Sequence, residues 1–103
     1  MHIVYGKTQA DALRDRYTVL ELDTVHVKET NEDLTLYAVI DTGKLGIDSF
    51  PQLENWKNLH EDFIVELNKN NREYCLQAVE HLTGQFGGEV DTFYQHVKDR
   101  FNA

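Results

Sequence analysis

Two neighbouring runs, YTVLELDTVHVK (17–28) and LTLYAVID (34–41), constrain the fold of this chain more than any other feature. Both are rich in β-branched and aromatic residues, and their apolar positions alternate, as they do in a strand with one buried face. In the second run Leu34, Leu36, Ala38 and Ile40 share a face, while Tyr37 and Val39 share the other. The first run changes phase: Leu20 and Leu22 fall on one face, Val25 and Val27 on the other. Side chains of a regular strand alternate with period two, so the slip predicts a bulge or bend near Asp23 and Thr24. The polar loop ETNED joins the runs into an antiparallel hairpin, with strands over about 17–28 and 33–41.

Shorter signals flank the hairpin. HIVYG reads as a strand at 2–5 closed by glycine. In TQADALRDR, Thr8 is placed to cap a helix over 9–16, with Asp11 as the acidic partner of a capping box. TGKLGID is a glycine-punctuated connection, after which the periodicity becomes helical. Ser49 can cap a helix over 50–69, with Gln52 three residues on and Pro51 in its first turn. Asn70 and Asn71 break that helix and cap the next, 71–83, which stops at Gly84. The loop GQFGG leads into a last helix over 89–101, whose Glu89 and Asp91 suit the positive end of the helix dipole. Strands first and helices last predict an α+β fold. It would be a single domain, 1–103, with a small antiparallel or mixed sheet packed by one short and three longer helices.

Composition narrows the function. With 41% hydrophobic and 27% charged residues in 103, the chain has the make-up of an ordinary folded domain and not of a disordered one. One cysteine allows no internal disulfide and no paired-cysteine zinc site, and a reducing cytoplasm is expected. Lys7, Asp11 and Arg14 come too early for a signal-peptide core, and no apolar run approaches about 18 residues, so no membrane association is expected. The net charge of −8 is concentrated in residues 21–66, where eleven carboxylates face three lysines. That field disfavours nucleic-acid phosphates and anionic membranes, both of which need clustered Lys and Arg.

Helical angle, at about 100° per residue, separates the candidate chemical groups. The tempting cluster His60-Glu61-Asp62 does not converge. With Leu53 at zero, His60 falls at about 340°, among Trp56, Phe63, Ile64 and Leu67, whereas Glu61 and Asp62 point elsewhere at about 80° and 180°. His60 therefore reads as a core histidine with one hydrogen-bond partner, or as part of a Trp56/His60/Leu67 stripe offered to a partner. Cys75 shares the apolar stripe of Ala78, Val79, Leu82 and Phe86 and reads as a buried thiol, since a reactive thiolate needs an accessible, electropositive setting. None of the five histidines has a His, Asp, Glu or Cys four residues away, so no local metal motif exists and no cofactor is expected. TGQFGGE lacks the lysine and spacing of a phosphate loop.

Two resemblances add to this reading. IVYG, a following helix and YTVLELDT resemble the first βαβ unit of glutaredoxin-like proteins, but KTQADAL stands where that family has Cys-x-x-Cys, so its redox activity does not carry over. The set IVYGK, LRDRYTVLELDT, QLENWKNLHEDF and EYCLQAVEHLTGQFGGEVDTFY is similar to short proteins of tailed phages, of no known activity. That resemblance implies a small cytoplasmic protein of an infected bacterium, acting by binding host or phage proteins.

The resulting expectation is a small acidic, non-enzymatic protein-interaction or regulatory module. It would bind a protein partner or itself through Trp56, His60, Tyr94 and Phe101. Two alternatives stand beside it. One is a small hydrolase or nucleotide-processing enzyme using His26, His60 or His81 with a carboxylate brought in by tertiary contact. The other is an acidic mimic of nucleic acid, with Glu54 and Glu61 two turns apart, about 10 Å along their helix.

Overall fold

The computed structural model describes residues 2–45 and 50–102. Its elements run β1 (His2–Tyr5), α1 (Lys7–Leu13), β2 (Tyr17–Val27), β3 (Glu32–Asp41), α2 (Phe50–Asn68), α3 (Arg72–Leu82) and α4 (Asp91–Asn102). Short 3-10 turns follow β3, at Thr42–Lys44, and precede α4, at Phe86–Gly88. The architecture is α+β, and its sheet is antiparallel throughout. The cap expected at Ser49, and the end of the TGKLGID connection, lie outside the described residues. The chain forms two units, Met1–Thr42 and Gly43–Ala103.

In the first unit the strand order is β1-β3-β2. Both β1 and β2 pair antiparallel with β3, so they run in the same direction, joined by α1, but β3 lies between them and they do not pair with each other. The expected bulge is present: the register shifts between Glu21 and Asp23, so that Leu20 faces Ala38 but Val25 faces Leu34. Ala38 and Leu34 share a face of β3, so the extra residue brings Leu20, Val25 and Val27 to one side. On the opposite side, Val19, Tyr37 and Val39 pack with Ala10 in a small core that Val4 and Leu13 border. The Arg14 guanidinium lies 5.9 Å from the centre of the Tyr37 ring.

Helix α1 begins two residues before the expected start. Gly6, at φ +88°, occupies the capping position, and no side chain caps the helix. Its N–H donates to the Thr35 carbonyl at 2.9 Å, closing the β1–β3 ladder, while its carbonyl accepts from Ala10 N–H at 3.2 Å. A residue that must end a strand and start a helix at positive φ is best served by glycine, and this displaces Thr8 into the first turn. Asp11 then bonds Arg14 Nε at 2.8 Å instead of completing a capping box.

In the second unit α2, α3 and α4 pack together. Asn71 caps α3 as expected, its side chain accepting from Tyr74 N–H at 3.3 Å. Arg72 Nε donates to the Phe101 carbonyl at 3.1 Å, satisfying one of the free carbonyls at the end of α4. Lys98 and Glu80 pair at 3.1 Å between α4 and α3. The interior holds Phe63, Ile64 and Leu67 from α2, Cys75, Ala78, Val79 and Leu82 from α3, and Tyr94 and Val97 from α4.

Candidate functional site

The helical unit organises its polar interior around one pair. His60 on α2 and Tyr94 on α4 share a hydrogen bond of 2.8 Å between Nδ1 and the hydroxyl. The rings of Phe63, Phe86 and Tyr94 lie with centroids about 6 Å from the imidazole, in edge-on and tilted arrangements. His60 is 1% exposed and Tyr94 fully buried. Burial, seconded by the charge of Asp91, pushes the Tyr94 phenol well above its usual range, so it stays protonated. The geometry is that of the core histidine with a hydrogen-bond partner, and contact of either ring with another molecule would require the helices to separate. Trp56 and Phe101, the other two residues expected at an interface, are half-buried near opposite ends of the unit's sequence.

The remaining candidate chemistry is dispersed. Cys75 is sealed on α3, and burial, then the nearby Glu66 charge, raise its thiol against a smaller lowering by Arg100. His81 and His96 are exposed. His26 Nδ1 meets Asp33 at 3.0 Å, and both groups are more than half exposed on the hairpin. Thr24 and Thr35 bond side by side on the same face, at 3.0 Å. These are cross-strand pairs of an exposed ladder. Glu54 is bonded to Lys57 at 3.3 Å, so the spacing of Glu54 and Glu61 is interrupted by a cation, as their positions require. An open cleft of about 540 Å³ lies along α4, lined by Thr83, Asp91, Thr92, Gln95, His96 and Asp99. Its Asp91 accepts from Gly84 N–H and its Asp99 from Gln95 Nε2, both at 2.8 Å, so both carboxylates serve the local backbone and helix. Among the described residues no three His, Cys, Asp or Glu groups converge to hold a metal ion, and no helix is long and apolar enough to cross a membrane.

The feature least explained by internal packing is on the sheet. Beyond the end of β1 the β2–β3 hairpin runs on as two strands, and its face continuous with Leu20 and Ala38 is apolar. One row across it is Tyr5–Leu36–Asp23, the next is Leu34–Val25, and the last is Glu32–Val27. Ile3 lies opposite Ala38 in the row before. Ile3 is 37%, Tyr5 56% and Val25 40% exposed, and Leu34, Leu36 and Val27 are partly open. Alternation identified the apolar face of the hairpin, but the residues that leave it open depend on the shortness of β1 and on the register. A four-residue strand beside partners of ten and eleven is the signal in the sequence that marks it. Compared with protein-family models, with curated proteins and with solved structures, the chain gives no significant match.

Proposed function

We propose that this chain is a small acidic protein-interaction module that acts by binding and not by catalysis, in the cytoplasm. One observation carries the reading: three large apolar side chains, Ile3, Tyr5 and Val25, stand exposed on one face of the sheet, contiguous with the partly open Leu34 and Leu36. Isolated exposed apolar residues are common on any surface, but a contiguous set on one regular face marks a contact surface. We take the partner to be a host or phage protein, as the resemblance of the sequence to short tailed-phage proteins implies.

The test is a tagged full-length chain used to capture partners from its native cell, beside size-exclusion chromatography of the isolated protein. A specific co-purifying protein, or a concentration-dependent dimer, supports the reading. A strictly monomeric protein that captures nothing specific removes it and returns the small-enzyme alternative to the front.

A further inference from the structure

The open sheet face also carries charge in a definite pattern. Asp23 shares its row with Leu36 and Tyr5, and Glu32 shares the last row with Val27. Glu29 is exposed in the turn between the strands, next to the exposed Lys28. The apolar side chains Tyr5, Leu36, Leu34 and Val25 are therefore interleaved with and bordered by carboxylates. The reverse face of the same hairpin is polar, with its Thr24–Thr35 and His26–Asp33 ladder already paired internally.

Resting on the interaction reading, we infer that this face binds a basic amphipathic segment of a partner protein. Its apolar side chains would lie over Tyr5, Leu34, Leu36 and Val25, and its Lys or Arg side chains would reach Asp23 and Glu32. Charge complementarity selects this occupant over the others. A second copy would bring the same carboxylates and a net charge of −8 to meet them, and like charges set face to face are strongly disfavoured. A neutral apolar segment would leave Glu32 desolvated without a partner and Asp23 with only the Thr24 N–H, at 2.8 Å, to offset its charge. A basic amphipathic segment covers the apolar surface and neutralises both acids. The contact gains its strength from Tyr5, an aromatic side chain of the kind that dominates interface energetics.

The experiment uses the full isotopically labelled chain and a synthetic peptide alternating leucine and lysine, with a leucine–glutamate and a serine–lysine peptide as controls. Backbone amide shifts are followed by NMR at low and high salt. The expected result is a set of shifts centred on Ile3, Tyr5, Val25, Leu34 and Leu36, produced by the leucine–lysine peptide alone and weakened by salt. The double variant Tyr5→Ser with Val25→Ser, both at exposed positions, should keep its circular dichroism and bind about tenfold or more weakly. Four results would overturn the inference: shifts centred elsewhere, equal binding of the serine–lysine peptide, no binding, or the same residues shifting with protein concentration and no peptide. The last makes a second copy the occupant and leaves the interaction reading standing. If the captured native partner binds the double variant as well as the natural chain, this surface is wrong while the module reading survives.

Discussion

His60 and Tyr94, 34 positions apart in the chain, are joined by a 2.8 Å hydrogen bond in a place that solvent does not reach. A buried polar pair of this kind is stabilising only while both members are present, because removing one deprives the other of its partner in a medium that offers no water. Tyr94→Phe keeps the ring and removes the hydroxyl. It is expected to cost about 1–2 kcal/mol, against about 3–5 kcal/mol for Tyr94→Ala, which also opens a cavity. Urea unfolding followed by circular dichroism measures both, and a Tyr94→Phe variant as stable as the natural chain would show that the hydroxyl contributes nothing.

Alkaline pH is expected to unfold the protein. Burial raises the Tyr94 phenol first, with Asp91 adding to it, and burial raises the Cys75 thiol. Both groups hold their protons in the folded chain at pH values where the unfolded chain releases them, so the unfolded state binds fewer protons there. Stability is thus full below the ordinary values, about 8.5 for Cys and about 10 for Tyr, and declines as pH rises above them. For Tyr94 the slope above about pH 10 approaches 1.4 kcal/mol per pH unit. Urea midpoints measured at rising pH should fall accordingly, and Tyr94→Phe should flatten the decline.

Cys75 should be inert in the native protein. It is wholly buried and its thiol is held protonated, so a thiol-specific chromogenic reagent reaches it only through opening of the helical unit. Labelling should be slow under native conditions and immediate in concentrated urea. Prompt labelling of the folded chain would show that α3 is not packed as described.

Trp56→Ala separates packing from contact. The half-buried indole should contribute less than a core tryptophan, and the variant is expected to lose about 2 kcal/mol and remain folded. Partner capture by this variant then reports on contact alone. Retained capture assigns Trp56 to packing, and lost capture with an unchanged spectrum extends the binding surface to α2.

Much of the architecture is written locally. The hairpin follows from alternation, the bulge from a phase slip that points to Asp23 and Thr24, a step beyond the observed shift between Glu21 and Asp23, and the start of α3 from Asn71, each a signal confined to a few residues. The start of α1 was not legible, because it is fixed by Gly6 bonding to Thr35, nearly thirty positions away. His60 was legible as an apolar-face histidine, since helical angle alone puts it among Phe63, Ile64 and Leu67. That its partner is Tyr94 depends on how α2 and α4 pack, which periodicity does not encode. The open face behaves likewise: its apolar residues can be read along each strand, but their assembly into Tyr5–Leu36–Asp23 and Leu34–Val25 is a matter of register.

The one-residue slip between Glu21 and Asp23 decides which chemistry the tip of the hairpin shows to each side. Deleting Leu22 would restore unbroken pairing and leave every side chain beyond it on its present side, because Glu21 already faces Tyr37 and Asp23 already faces Leu36. Straightening the strand with Leu22 kept would do the opposite: Thr24 and His26 would take the places of Val25 and Val27, and the greasy side of the tip would turn hydroxylic and imidazole-bearing. One surplus residue, tucked out of the ladder, is what keeps the two surfaces of the tip from exchanging identities.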